Sequence, residues 1–173
     1  MKTKINAAKR ILKNSKKTAL CKPTLHYPQI LDDSRQCVMV QYHAVVFAPD
    51  NVLPLEPMPD NVRAKCDLFP IDDTLKRARK NSVELVLPCI ADLKAYIKEL
   101  KAKKSDIRLT PHGAIIYDFG DNLPAVNAAY LLDILQLMPE AVAFVDTQKP
   151  LINAVYFSDG ANEGALLPVR KLH

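Results

Sequence analysis

The stretch NAAYLLDILQLMPEAVAFVDTQKPLINAVYFSDGANEGALLPV, residues 127–169, combines one helical pattern with three short apolar runs. Asn127 is a favourable N-cap, and Pro139 follows the predicted C-terminus of the helix. The apolar stripe between them consists of Leu131, Ile134, Leu135 and Met138. Because this helix is apolar on nearly every side and contains no Lys or Arg, we expect it to be the most buried helix of the chain.

Three strands are predicted after this helix, and their short connections favour an antiparallel meander. They are AVAFV (141–145), INAVYF (152–157) and GALLPV (164–169), with a turn at Ser158-Asp159-Gly160. The final strand ends in Pro-Val-Arg close to residue 173. Chain ends are usually frayed and polar unless they are docked. We therefore expect this segment to be a docked strand or part of a binding surface.

The earlier sequence repeats this order of a helix followed by strands. Two amphipathic helices are predicted, KINAAKRILKNSKK (4–17) and CIADLKAYIKELKAKK (89–104). The strand-like runs are TLHYPQIL (24–31) and CVMVQYHAVVFA (37–48) after the first helix, VELVLP (83–88) before the second, and DIRLT (106–110) and AIIYDF (114–119) after it. Strands that come in groups rather than singly predict an α+β fold with helices packed on antiparallel β-sheets.

A segment rich in Pro, Asp and Asn, residues 49–66, is the predicted linker or long loop. It divides the chain into a first unit of one helix with strands, residues 1–67, and a second unit with two helices, residues 68–173. The acidic pair Asp72-Asp73 is typical of a helix start.

Positive charge is unevenly distributed along the chain, whose formal net charge is +5. Residues 1–31 contain eight Lys or Arg and no acid, whereas residues 109–148 contain acids but no Lys or Arg. Two predicted helices present lysine stripes, which consist of Lys9, Lys13 and Lys16 in the first and Lys94, Lys98 and Lys101 in the second. Such asymmetry is typical of a surface for a polyanion, although solvated helix faces show the same pattern.

Catalytic and metal-binding motifs are absent from the sequence. No GxxxxGK[ST], GxGxxG, HExxH or GxSxG pattern occurs, and the four histidines are dispersed. The cysteines Cys21, Cys37, Cys66 and Cys89 lack CxxC spacing. We expect a cytoplasmic protein with reduced thiols, no metal and no cofactor. No apolar run approaches the ~20 residues of a membrane span, so no membrane partner is expected.

Residues 124–172, PAVNAAYLLDILQLMPEAVAFVDTQKPLINAVYFSDGANEGALLPVRKL, resemble the C-terminal part of bacterial DNA sliding clamps, the beta subunits of the replicative polymerase. The shared order is an Asn-capped helix containing YLLD, two strands, and a final strand in which Leu167-Pro168-Val169-Arg170 stands where the family has an apolar-Met-Pro-Met-Arg ending. INAAKRILKN followed by KPTL, and LFP followed by VELVLPCIADLKAYIKEL, are similar to earlier parts of a clamp.

The resemblance implies a DNA-clamp-like fold and a non-catalytic protein, encoded by a phage or mobile element, that acts as a processivity factor in DNA replication. The six lysines of the two stripes are then expected to contact duplex DNA without reading its sequence. The resemblance also implies a pocket for short apolar peptides of replication proteins, lined by Ile152, Ala154, Leu167, Pro168, Val169 and Arg170. A homo-oligomer is expected, although the chain is far shorter than a clamp subunit and ring closure is not implied.

Two alternatives remain open at this point. The first is a clamp-derived protein-interaction module that does not encircle DNA. The second is a small cytosolic enzyme that uses Cys37 or Cys89 as a nucleophile. Cys37 and His43 are six positions apart in strand-rich sequence, which places them at different sites, and a buried structural cysteine is the commoner role.

Overall fold

A seven-stranded antiparallel sheet organises the chain in the computed structural model, which describes residues 1–17, 23–40, 43–64, 70–103, 114–146 and 148–169. Within these ranges the helices are α1 (Lys2–Lys17), α2 (Asp60–Arg63), α3 (Ile71–Ala78), α4 (Ile90–Ala102) and α5 (Ala128–Leu137). The strands are β1 (Gln29–Ile30), β2 (Gln36–Val40), β3 (His43–Phe47), β4 (Val83–Leu85), β5 (Ile116–Asp118), β6 (Ala125–Asn127), β7 (Val142–Val145), β8 (Val155–Ser158) and β9 (Glu163–Leu166). The predicted α+β class with antiparallel pairing is confirmed.

Six of the seven strands of the large sheet form two topologically equivalent halves, and β4 lies at one edge. The strand order of this sheet is β1-β2-β3-β9-β8-β7-β4, and every neighbouring pair is antiparallel. In each half a helix, α1 or α5, precedes a three-stranded meander, β1–β3 or β7–β9. The last strands of the two meanders pair with each other, with Ala44 opposite Ala165. The first and last parts of the chain therefore share one sheet.

Helices cover both faces of this sheet. On the first face α1 and α5 pack against each other and α4 packs against α5, over side chains such as Val45, Phe47, Phe157 and Leu166. On the second face the short helix α3 packs over smaller side chains such as Ala44, Val46 and Ala165. Alternation along β3 and β9 explains this division, since successive residues of a strand point to opposite faces.

The three predicted helices are present with bounds close to those expected. Asn127 caps α5, because its Oδ1 accepts hydrogen bonds from the backbone N–H groups of Ala129 and Tyr130 at 2.9 and 3.3 Å. The prediction that this helix is the most buried is also confirmed: seven of its ten residues are buried, including Asp133 and Gln136. Its position between α1 and α4 explains why it has no solvent-facing lysine stripe.

The predicted strand at residues 24–31 is wrong over most of its length. Residues Pro23–His26 form a 3-10 helix, and strand pairing begins only at Gln29. Pro28 explains the late start of the strand, because proline has no N–H to donate to a sheet. The run at residues 37–48 is a hairpin of β2 and β3, in which Val40 pairs with His43.

Three elements were not predicted as such from the sequence: α2, which lies in the predicted loop at residues 49–66, α3 and β6. Helix α3 follows Pro70, and the predicted helix start at Asp72-Asp73 is confirmed as its first turn. Strand β6 pairs with β5 in a separate two-stranded sheet. The predicted strand at residues 106–110 lies outside the described residues. Within the described parts of the chain, no helix combines the length and the apolar character that a membrane crossing requires.

Candidate functional site

Helix α1 presents a cationic surface on the first face of the sheet. Lys9, Lys13 and Lys16 are exposed, whereas Ile11, Leu12 and Ser15, which lie between them in the sequence, are buried. No acidic residue occurs anywhere in the helix. The Lys16 ammonium lies 5.3 Å from the centre of the Tyr27 ring, in a cation-π contact. The stripe that the sequence predicts is therefore a solvent-facing row of positive charge.

Helix α4 carries the second predicted stripe. Lys94, Lys98 and Lys101 are exposed, and the opposite side of the helix buries Leu93 and Ile97 in the same core to which α1 contributes. Both lysine-bearing helices consequently lie on the same face of the sheet, separated by α5. Near the end of α4, Lys103 is engaged by Glu99 at 2.5 Å and lies outside the stripe.

A pocket of about 470 Å³ opens on the second face, between α3 and the sheet. Its floor is apolar and includes Met39, Ala44 and Ala165 of the sheet, while Ile71 and Ala78 of α3 belong to its wall. Three of the six predicted peptide-binding residues, Ile152, Ala154 and Leu167, belong to its lining. The exposed fraction of Ile152 is 70%, which makes it an apolar side chain at the rim.

The other predicted peptide-binding residues are placed differently. Pro168 and Val169 are half-buried and are not part of the pocket lining. The Val169 N–H donates to the carbonyl oxygen of Ala125 at 2.8 Å, which bridges the end of the chain to β6. Arg170 lies outside the described residues. Of the predicted terminal motif, Leu167 therefore lines the pocket, whereas Pro168 and Val169 do not.

Helix α3 supplies the pocket wall that sequence reasoning missed. Ile71, Leu75 and Ala78 are buried on one side of the helix, a spacing of four and three residues that is typical of a helix on a sheet. This apolar spacing is visible in the sequence, but it extends over only about two helical turns and is therefore a weak indication of a helix. From the same helix Arg77 joins the lining, and Lys80 does so just beyond its end.

Ion pairs hold α3 on the sheet at both of its ends. Near the N-terminus Arg35 bonds to Asp72 at 2.7 Å. Near the C-terminus Arg79 forms two bonds with Glu163, at 2.6 and 2.5 Å, and the Tyr156 hydroxyl donates to the same carboxylate at 2.6 Å. The hydrogen bonds from Arg79 hold the pKa of Glu163 below its usual value. The wall of the pocket is therefore fixed rather than loosely attached.

A buried polar cluster lies on the first face, where β3 meets α1 and α5. Its members are Arg10, Asp133, Gln136 and His43, and the His43 ring stacks on Tyr130 with 4.4 Å between ring centres. The side chains of His43 and Asp133 are 0% and 2% exposed. Neither the carboxylate nor the imidazole reaches solvent, and the cluster joins α1, α5 and β3.

The two described cysteines occupy very different environments. Cys37 is fully buried beneath α3, and this burial raises the pKa of its thiol to about 12. It is therefore protonated at neutral pH and a poor nucleophile, which weakens the enzyme alternative at this residue. Cys89 is exposed, and its Sγ accepts a hydrogen bond from the Asp92 N–H at 3.3 Å as the N-cap of α4. Cys21 and Cys66 lie outside the described residues.

Cys37 and His43 lie at different sites, as predicted: one packs under α3 and the other under α5, on opposite faces of the sheet. Among the residues that the structure describes, no group of three or more His, Cys, Asp or Glu side chains could hold a metal ion. Comparison with protein-family models, with curated proteins and with solved structures returned no match to this chain.

Proposed function

We propose that this chain is a non-catalytic, sliding-clamp-like protein of DNA replication. It associates with duplex DNA without sequence preference through the lysine stripes of α1 and α4. It recruits replication proteins by receiving a short apolar peptide in the pocket beside α3. This proposal joins the sequence resemblance to the two surfaces described above.

The charge of the helix face supports the DNA-binding part. A protein that binds DNA without sequence preference needs cations that contact the phosphates and make no contacts to the base edges. Lys9, Lys13 and Lys16 are exposed on a helix without acids, so no carboxylate on α1 competes with phosphate for them. Arg10 is excluded from this set, because its guanidinium is bonded to Asp133 and Gln136.

The single observation that carries the proposal is the separation of the two surfaces. The lysine-bearing helices pack on the first face of the sheet, and the pocket floor is formed by the second face. A duplex on one side and a peptide on the other can therefore be held simultaneously. An adaptor that keeps a partner near DNA requires this arrangement.

DNA binding is tested by titrating a fluorescein-labelled duplex of random sequence and following its anisotropy at several salt concentrations. We expect the affinity to fall by orders of magnitude between about 50 and about 200 mM salt if six or more phosphates are contacted. The triple variant Lys9→Gln, Lys13→Gln, Lys16→Gln is expected to weaken binding and to reduce the slope of log K against log salt by about 3.

A matched control removes three exposed cations elsewhere, with Arg63→Gln, Lys76→Gln and Lys149→Gln. This control has the same net charge as the α1 variant, so it separates a localised interface from general attraction to DNA. Equal losses in both variants would contradict an interface on α1. Undiminished DNA affinity of the α1 variant would contradict it as well.

The second candidate is a protein-interaction module that does not bind DNA. The pocket favours this candidate, because no lysine of α1 or α4 lines the pocket and peptide binding there does not depend on DNA binding. This candidate predicts peptide binding with no measurable affinity for duplex DNA. Size-exclusion chromatography with light scattering measures the oligomeric state, which also distinguishes the two candidate functions. We expect a defined homo-oligomer for the clamp-like protein and a monomer for the module.

A further inference from the structure

The four cations at and just after α3 have different surroundings. Arg79 is neutralised by Glu163. Lys76 is exposed and lies outside the pocket lining, whereas Arg77 and Lys80 are exposed and belong to it. Two positive charges are thus placed in the lining of a pocket whose floor is apolar.

Neither of these two cations has an ion-pair partner among the described residues. Arg77 donates from its Nε to the backbone carbonyl of Asp73 at 3.2 Å, which leaves the other guanidinium N–H groups available. Lys80 forms no ion pair within the described part of the chain. The fixed charge of the pocket lining is two cations against one carboxylate, that of Asp146.

Asp146 forms no ion pair with Arg77 or Lys80, and its oxygens accept hydrogen bonds from its own turn instead. Its Oδ1 accepts from the N–H groups of Gln148 and Lys149 at 2.6 and 3.2 Å, and its Oδ2 accepts from the Asn153 side chain at 2.5 Å. These bonds orient the carboxylate toward the residue 146–153 turn. The unmatched positive charge therefore remains on the α3 side of the pocket.

We propose that the pocket recognises an acidic peptide: an apolar side chain enters over Ala44 and Ala165, and a neighbouring Glu or Asp side chain of the partner pairs with Arg77 and Lys80. This inference rests on the proposed peptide-binding function and specifies the partner. Charge complementarity selects the acidic peptide, because a neutral one leaves both cations without a counter-charge and a basic one is repelled.

The physical roles of the two contacts differ. The apolar side chain supplies most of the affinity, since it removes apolar surface from water within a concave site. The acidic side chain contributes orientation and discrimination, because Arg77 offers planar, paired N–H donors that match a carboxylate. Ion pairs between exposed side chains are weakened by salt, so the discrimination is expected to shrink at high ionic strength.

Three C-terminally amidated, fluorescein-labelled peptides test this inference by anisotropy: Ser-Glu-Glu-Leu-Leu-Phe, Ser-Gln-Gln-Leu-Leu-Phe and Ser-Lys-Lys-Leu-Leu-Phe. Amidation removes the terminal carboxylate, so only the Glu side chains differ in negative charge. We expect the Glu peptide to bind about three- to tenfold more tightly than the Gln peptide, as two exposed ion pairs allow, and the Lys peptide to bind weakest.

The variant Arg77→Gln, Lys80→Gln is expected to bind the Glu and Gln peptides equally. Its matched control, Arg63→Gln, Lys76→Gln, removes two exposed cations outside the pocket and is expected to keep the preference. Ile152→Ser, at an exposed rim position, is expected to weaken binding of all three peptides without changing their order.

Each other outcome contradicts a distinct statement. Equal binding of all three peptides to the unaltered protein overturns the acidic preference but leaves peptide binding intact. Binding of none of them overturns the peptide-binding proposal itself. Loss of duplex DNA affinity in the Arg77→Gln, Lys80→Gln variant, with peptide preference unchanged, assigns the two cations to DNA and overturns their role in the pocket.

Discussion

Arg10 and Asp133 lie 123 positions apart in the chain, and the Arg10 Nε donates to Asp133 Oδ1 at 2.6 Å. The Arg10 Nη2 donates to the same oxygen and also to Gln136 Oε1, the latter at 2.7 Å. The side chain of Asp133 is 2% exposed and that of Arg10 is 43% exposed. The pair joins α1 to α5, and thereby joins the helices of the two halves of the fold.

Replacing Arg10 is expected to destabilise the protein, because it leaves the buried Asp133 carboxylate without its cation. We expect Arg10→Gln to lower the free energy of unfolding by about 1–3 kcal/mol, less than for a fully buried pair because Arg10 is partly solvated. Urea denaturation measures the change. Lys9→Gln, at an exposed position of the same helix, is the control and is expected to change it by less than about 0.5 kcal/mol. Equal effects of the two variants would show that the pair has no stabilising role.

Acidification is expected to destabilise the protein through His43. Burial lowers the pKa of His43 from 6.5, and the positive charge of Arg10 acts in the same direction. The attraction of Asp133 for the protonated ring opposes both effects. The distance between His43 Nε2 and Asp133 Oδ2, 3.7 Å, is too long for a hydrogen bond. The unfolded chain therefore binds a proton at a higher pH than the folded one. Stability from the neutral imidazole is complete above pH 6.5 and is lost as the pH falls toward the folded-state pKa.

The measurement is the free energy of unfolding at a series of pH values on either side of 6.5. His43→Phe keeps a ring against Tyr130 and removes the titrating group, so its pH dependence is expected to be shallower by up to about 1.4 kcal/mol per pH unit. His26→Gln is the comparison variant, because the pKa of His26 is also lowered but the residue is not buried. An unchanged slope in His43→Phe would contradict this role of His43.

Gly164 lies in the central strand β9 where side-chain space is limited. A Cβ at this position would be 3.0 Å from Met138 Cε and 3.3 Å from the carbonyl oxygen of Ala44. We expect Gly164→Ala to lower the free energy of unfolding by about 1–3 kcal/mol through overpacking. In a Met138→Ala background the same substitution is expected to cost less, because one of the two close contacts is gone. Additive effects in thermal or urea denaturation would contradict the contact with Met138.

The rate of cysteine alkylation tests whether Cys37 could act as a catalytic nucleophile. Its thiol, with a pKa raised to about 12 by burial, is expected to resist iodoacetamide at neutral pH, whereas the exposed Cys89 reacts. Peptide mapping by mass spectrometry locates the alkylated residues, and the urea-denatured protein serves as the control in which both react. Rapid alkylation of Cys37 in the folded protein would revive the enzyme alternative.

Simultaneous binding of DNA and peptide is expected from the opposite placement of the two surfaces. Saturation with the Glu peptide should change the duplex dissociation constant less than about twofold, because neither ligand occupies the other's face. Anisotropy of the labelled duplex, with and without unlabelled peptide, measures this. Competition between them would place both ligands on one surface.

Local signals were sufficient to predict much of the secondary structure. The Asn127 cap and Pro139 bound α5 within a few residues, since a helix end is determined by its immediate neighbours. The same reasoning was insufficient for α3, where eight residues contain too few repeats of the apolar spacing to stand out. At residues 37–48 no Gly, Pro or Asn marks the turn, so the sequence shows one apolar run where the structure has two strands.

The candidate pocket could be predicted only in part, because its residues meet through tertiary packing. Ile152, Ala154 and Leu167 were identified from the resemblance of the C-terminal segment. Met39 and Arg77 belong to the same pocket because α3 docks on the second face, and nothing local in the sequence specifies that docking. The pairing of β3 with β9 is equally non-local, and it decides that one sheet underlies both surfaces.

The pairing at the middle of the sheet has a consequence for biosynthesis. During translation β3, which ends at Phe47, leaves the ribosome long before β9, which begins at Glu163. Until β9 emerges, the nascent chain has an open, apolar strand edge of the kind that associates with other chains. We expect this protein to need chaperones during synthesis and to complete its large sheet only after β9 has emerged.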